Sequence, residues 1–180
     1  MEYVCHKKPP QVLEMIGELV AACRAVCPDV EFAAEDAVRA EPEFLRRALE
    51  AALTAGATSV TLCDAEGNTL PDEFAAFIQG VYEAVPALRD VCVSVQCAKG
   101  ISMSTACTIA GVKAGANGVK ATISEDAYPA IENIAGVIRL RGDSYDIQCG
   151  INHMELGRIT GRIGRITHTR RKATSPFDNQ

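Results

Sequence analysis

The chain has 180 residues, enough for one domain with a substantial core. Hydrophobic residues make up 48% and charged ones 23%, which is too apolar for disorder, and a net charge of −5 gives no global pull toward nucleic acid. No stretch approaches a membrane span, and Met1 to Gln11 lacks an apolar run with a cleavage site, so the expected compartment is the cytoplasm.

Pro9-Pro10 is a helix start signal, and Val12, Leu13, Ile16, Leu19, Val20 and Cys23 then recur at helical spacing until Pro28-Asp29. Val30 to Ala34 reads as a short strand ending in Glu35-Asp36. A second helix opens at Pro42-Glu43, with Leu45, Ala48, Leu49, Ala52 and Leu53 on its apolar face and Gly56 as a left-handed cap. Val60 to Cys63 is the next strand, ending at Asp64. A turn at Glu66-Gly67-Asn68 leads to a helix started by Pro71-Asp72-Glu73, whose buried stripe is Phe74, Phe77, Ile78, Val81 and Val85.

Val91 to Val95 is a strand rich in β-branched residues that delivers Gln96, Cys97, Ala98 and Lys99 to its carboxyl end, where α/β folds place their chemistry. A helix from about Ser102 to Lys113 follows. Gly118 to Ile123 reads as a fourth strand, and Tyr128, Ile131, Ala135 and Ile138 line another helix. Strict alternation of strand and helix predicts βα units around a parallel sheet. Ala55-Gly56-Ala57 and Ala114-Gly115-Ala116 each close a helix just before a strand, a weak internal echo.

From Asn152 to Thr167, Arg158, Arg162 and Arg165 share one helical face and Ile159, Ile163 and Ile166 another. Arg170-Arg171-Lys172 then precedes a polar tail. The stretch suits either the solvated face of a docking helix or contact with an acidic partner, and the overall negative charge argues against nucleic acid. Eight cysteines (Cys5, Cys23, Cys27, Cys63, Cys92, Cys97, Cys107 and Cys149) include no Cys-x-x-Cys, and Cys23 and Cys27 share a helix face at i, i+4; they read as buried thiols in a reducing compartment, with a Cys-based metal site or redox pair as the alternative.

Several stretches, in order, resemble the catalytic barrel of the α-isopropylmalate, homocitrate and citramalate synthases, the HMG-CoA-lyase-like metallolyase barrels. Met1-Glu2-Tyr3 with Pro10 and Val12-Leu13 is similar to the family's segment after strand four. Val30 to Arg39 is similar to strand five with its loop. Ala55 to Thr58 with Asp64 to Pro71 is similar to unit six. Val93-Ser94-Val95 and Ala114-Gly115-Ala116 resemble unit seven, and Ile151-Asn152-His153 the helix after strand eight. The resemblance implies an α/β fold: a partial (βα) barrel of about four parallel strands, half of a TIM barrel, with flanking helices and a C-terminal helix. Residues 1–167 would form it, and 168–180 a basic, polar tail.

Such synthases bind a divalent metal that polarises a 2-oxo acid while an acyl-CoA enolate adds to it. The resemblance implies metal ligands at an Asp on strand one, a His-x-His on strand seven and an Asn after strand eight. Here the His-x-His positions are Gln96 and Ala98, no segment corresponds to strand one, strand eight runs into Ser124-Glu125-Asp126, and the Thr after the strand-six Asp is Ala65. The expectation is therefore no metal and no other cofactor, and no catalytic residue is assigned. Glu35, Asp36, Arg39, Asp64, Gln96 and Lys99 remain as ligand-binding candidates at strand ends. Their structural alternative is an ion pair of Arg39 with Glu35 or Asp36, and Asp64 bonding loop amides. Thiol chemistry with Cys63, Cys97, Glu35 and Lys99 has no nucleophile–base spacing to support it, and His6 and His153 read as surface or structural residues.

Half a barrel exposes an inner face, expected here to be apolar and costly to leave wet. A second copy, a separate polypeptide supplying strands one to four, or the first and last helices could cover it. The leading expectation is a self-associating binding or regulatory homologue without condensation activity. The alternative is the C-terminal subunit of a split acyl-CoA:2-oxo acid synthase.

Overall fold

Pro9, Pro42 and Pro71 each open a helix, at the position where a missing N–H breaks no intrahelical bond. The structure, a computed structural model, describes residues 7–123 and 127–167. Within them lie α1 (Pro9–Val26), β1 (Glu31–Ala34), α2 (Pro42–Thr54), β2 (Ser59–Asp64), α3 (Pro71–Ala84), β3 (Cys92–Cys97), α4 (Ser104–Lys113), β4 (Gly118–Val119), α5 (Ile131–Arg141) and α6 (His153–Ile166). The four strands form one sheet in the order β1-β2-β3-β4, every neighbouring pair parallel. This is the expected α/β partial barrel.

Caps hold the helix starts. Glu41 accepts hydrogen bonds from Glu43 and Phe44 N–H at α2, and Glu73 accepts from Leu70 N–H at α3. Gly56 and Gly115 adopt positive φ after α2 and α4, and the following Ala57 and Ala116 N–H groups bond back to Ala52 and Gly111. The two Ala-Gly-Ala segments are thus the same left-handed cap used twice.

The core lies between sheet and helices. Val60, Leu62, Val93 and Val95 project from the strands onto Leu45 and Leu49 of α2 and Phe74 and Ile78 of α3. Gly111 lets α4 close on Phe74, because a Cβ there would stand 2.8 Å from the Phe74 ring. A smaller cluster of Val20, Val30, Ala52 and Ala57 fixes α1 beside α2.

Four expectations need correction. The fourth strand spans two residues rather than six: past Lys120 the chain leaves the ladder, and Thr122 bonds instead with Pro129 and Ile131. Cys27 caps α1 rather than sharing a face with Cys23, and both are exposed with Cys92 and Cys149. Cys63, Cys97 and Cys107 are buried, and Cys5 lies outside the described residues. The isoleucine face of α6 does not dock it. Ile159 and Ile166 are exposed, and the contact with α5 is made by Thr160, whose hydroxyl donates to Glu132 at 2.6 Å. The fourth concerns the inner face of the sheet.

Candidate functional site

Residues alternate across a strand, so those between the core-facing valines and leucines point to the opposite face. That face carries Glu31 and Ala33 from β1, Ser59, Thr61 and Cys63 from β2, Cys92, Ser94 and Gln96 from β3, and Gly118 from β4, with Lys120 next. It is polar and small-chained, not apolar, so the large hydrophobic penalty expected for leaving it wet does not arise. Neither end helix was needed to cover it. α1 packs beside α2 and α6 on α5, while Glu31, Ala33 and Glu35 stay exposed.

One ion pair organises this face. The Lys120 ammonium donates to Glu31 at 2.8 Å, and the Thr61 hydroxyl donates to the other oxygen of the same carboxylate. These hydrogen bonds and the Lys120 charge hold the Glu31 carboxyl below its usual range. Lys120 follows β4 and Glu31 begins β1, with β2 and β3 between them. A flat sheet would set their strands ~14 Å apart. Their contact brings the two side chains together over the inner face, as the curl of a barrel wall allows. Beneath the pair, Thr61 and Ser94 are buried. Gly118 leaves room for Ser94, whose Oγ an added Cβ would meet. Lys120 did not stand out in the sequence, although it sits two residues past Gly118 on the inward-facing alternation.

The candidates read from the sequence separate into two groups. Arg39 chelates Asp36 through Nε and Nη2, at 2.9 and 2.6 Å, with Glu66 at 3.7 Å, so Asp36 rather than Glu35 is its partner. Asp64 is buried and accepts from Gly67 N–H at 2.9 Å and the Thr69 hydroxyl at 2.7 Å. Its carbonyl takes Ala98 N–H. These three side chains build loops. Lys99 donates its backbone N–H to Ala127. Glu35 and Gln96 face the inner side.

Cys63 lies there too. Burial, then the charge of Glu35 and a hydrogen bond to it, push its thiol up to about 12. Cys97 points the other way, into the core, where burial likewise lifts it to about 12. Neither thiol is an available thiolate. His153 starts α6 just after the Asn152 cap, and His6, the segment Ser124-Glu125-Asp126 and Arg170-Arg171-Lys172 lie outside the described residues.

Over this geometry, a family model described as HMGL-like matches residues 1–158. The chain belongs to the HMGL-like family. It is 33% identical over 171 residues to 2-isopropylmalate synthase of Clostridium kluyveri and 36% identical over 172 residues to that of Aquifex aeolicus. Each match covers 93% of this chain and 33% of the relative. The chain thus spans about a third of the length of these curated relatives. Among solved structures, the HMG-CoA lyase of Brucella melitensis aligns with a TM-score of 0.74 at 13% identity, over 94% of this chain and 62% of that one, which shows a shared fold. The HMGL-like chain is therefore homologous to the synthase catalytic domain.

The divalent metal implied by this kinship does not fit the donors present. At the two positions corresponding to the His pair, Gln96 offers a neutral amide and Ala98 a methyl group. Asp64 is committed to Gly67 and Thr69, and Cys63 holds its proton. Among the described residues, no three His, Cys, Asp or Glu side chains gather as a metal site, and no helix is long and apolar enough to cross a membrane.

Proposed function

We propose that this chain does not carry out the metal-dependent condensation of its synthase relatives on its own. It acts as a self-associating module that binds a small polar ligand on the inner face of the half-barrel, in the reducing cytoplasm that its exposed thiols suit. The observation that carries this reading is the pair Gln96 and Ala98 at the strand end where two imidazoles would hold a dication. The loop residues support it, since Asp36, Arg39 and Asp64 are engaged with one another or with backbone. What faces the opening is Glu35, Gln96 and the Glu31–Lys120 pair, a set able to hydrogen-bond a polar molecule without polarising a carbonyl through a Lewis acid.

The test is made on the purified 180-residue chain. Divalent metal is measured after dialysis against manganese, zinc and magnesium, and release of CoA is followed with acetyl-CoA and a panel of 2-oxo acids. The expected result is no stoichiometric metal and no turnover above the blank. Stoichiometric metal, or condensation by the chain alone, overturns the proposal. Condensation that appears only with a copurifying polypeptide identifies the split synthase instead.

A further inference from the structure

β1 pairs only with β2, and β4 only with β3, among the described residues. The four-residue β1 therefore turns backbone N–H and C=O groups outward along its length, and the two-residue β4 a shorter stretch, the kind of edge that recruits another strand. The two edges carry opposite inward charges, Glu31 on β1 and Lys120 immediately after β4. Their contact across β2 and β3 shows that both side chains sit at one height along the curled wall. A parallel sheet in sequential order can continue from β4 of one copy to β1 of another without reversing direction. A two-fold axis along the barrel then makes both joints identical. That operation places Glu31 of a second copy at the height of Lys120, on the adjoining strand ~4.8 Å away instead of across the chord.

We infer that two copies close edge to edge into an eight-stranded barrel, Lys120 giving up its own Glu31 for Glu31 of the second copy. This rests on the self-associating reading above and specifies its interface. The middle row of the inner face is Ala33, Thr61, Ser94 and Gly118. Its small side chains leave the interior of a closed barrel free for two Lys–Glu pairs, where eight-stranded barrels have space only for side chains. Charge complementarity favours a second copy of this chain, because its Glu31 and Lys120 match the Lys120 and Glu31 at the two edges it would meet.

Sedimentation of the full chain, alone and in mixtures, tests the exchange. E31K and K120E each turn two favourable cross-strand pairs per dimer into two repulsions, and each alone weakens association about tenfold or more. An equimolar mixture of the two variants restores wild-type association. One joint of the mixed dimer then carries Lys120 with Glu31, and the other carries the same pair reversed. If the ion pair stays within each chain, mixing restores nothing, because every chain still holds two like charges.

A dimer without rescue on mixing overturns this inference and leaves the proposed function standing. A monomeric wild type overturns the self-association in both. Metal binding or condensation overturns the proposed function without touching the mixing result. Should a reversal prevent folding, E31Q and K120M read the same contact. Wild-type association weakens as salt rises, each neutral variant loses that dependence, and retention of it overturns the exchange.

Discussion

Asp64 is one of the strand-end ligand-binding candidates read from the sequence, and replacing it with alanine separates a structural role from a chemical one. The residue is 4% exposed. It accepts from Gly67 N–H at 2.9 Å and the Thr69 hydroxyl at 2.7 Å, with Thr69 N–H more distant at 3.4 Å. Hydrogen bonds to an ionised acceptor contribute about 1.5–3 kcal/mol each, and a buried donor left without a partner costs about 1–3. Two good bonds and one weak one, sharing a carboxylate and therefore less than additive, give a loss of about 3 kcal/mol for Asp64→Ala. Asp64→Asn keeps one acceptor oxygen and loses about half of that. For a domain with an m-value of about 1–3 kcal/mol/M, urea unfolding of the alanine variant shifts its midpoint down by about 1–3 M. A shift corresponding to less than about 0.5 kcal/mol, the range of ordinary surface changes, refutes the loop-building role. Unchanged stability together with lost ligand binding would make Asp64 a site residue after all.

Gly111→Ala sets a Cβ 2.8 Å from Phe74 and 3.2 Å from Val95, both fully buried, and costs about 1–3 kcal/mol by overpacking, read from the same urea curves. Alkylation at neutral pH labels Cys23, Cys27 and Cys149 in the folded chain, while Cys63, Cys97 and Cys107 react only in denaturant. Rapid native labelling of Cys63 would contradict its burial beside Glu35. Burial also raises those three thiols, to about 12 for Cys63 and Cys97 and about 11 for Cys107. The unfolded chain releases these protons first as pH rises above 9, so stability declines through that alkaline range, and Cys63→Ser or Cys97→Ser flattens the decline. Glu31 has the opposite sign. Its carboxyl is lowered on folding, so its contribution is present above the ordinary carboxylate value and is lost as pH falls through the folded one. In the single chain the pair is more than a third exposed, so at concentrations where the chain is monomeric E31Q changes the acid limb by less than about 1 kcal/mol, and a larger change there would contradict that exposure.

Much of the fold follows from periodicity and punctuation. Prolines and positive-φ glycines stand where helices begin and end, and Leu45, Ala48, Leu49 and Ala52 form the α2 stripe that buries on the sheet. What the pattern concealed was direction within the strands. Val93 and Val95 alternate with Ser94 and Gln96, a period-2 signal for one apolar and one polar face, yet β-branched density alone suggests burial on both. The early end of β4 was hidden for another reason. Residues 118–122 are all compatible with a strand, and the chain leaves the ladder because Thr122 finds partners in Pro129 and Ile131. On α6 the isoleucines promised a docking face, but the small Thr160 reaches Glu132 and leaves Ile159 and Ile166 outside. Lys120 carried no motif. Its importance comes from a contact spanning 89 residues of sequence, which no local pattern reports.

The loops at the mouth are held by contacts that do not depend on the side chains at positions 96 and 98. Gly67 and Gly100 cross so closely that a Cβ on either would strike the other loop's backbone, and Ile101 N–H bonds to Gly67 O across that crossing. Ala98 N–H is tied to Asp64 and Lys99 N–H to Ala127, so the β3–α4 loop is held by backbone from both neighbours. None of these contacts uses the side chain of residue 96 or 98. An imidazole at either position could therefore be exchanged for an amide or a methyl group without loosening the loop that carries it. Folding and metal binding thus draw on different atoms of the same segment. Their independence is why a barrel wall with its turns, caps and buried Asp64 in place is no measure of whether the wall still conducts the chemistry of its relatives.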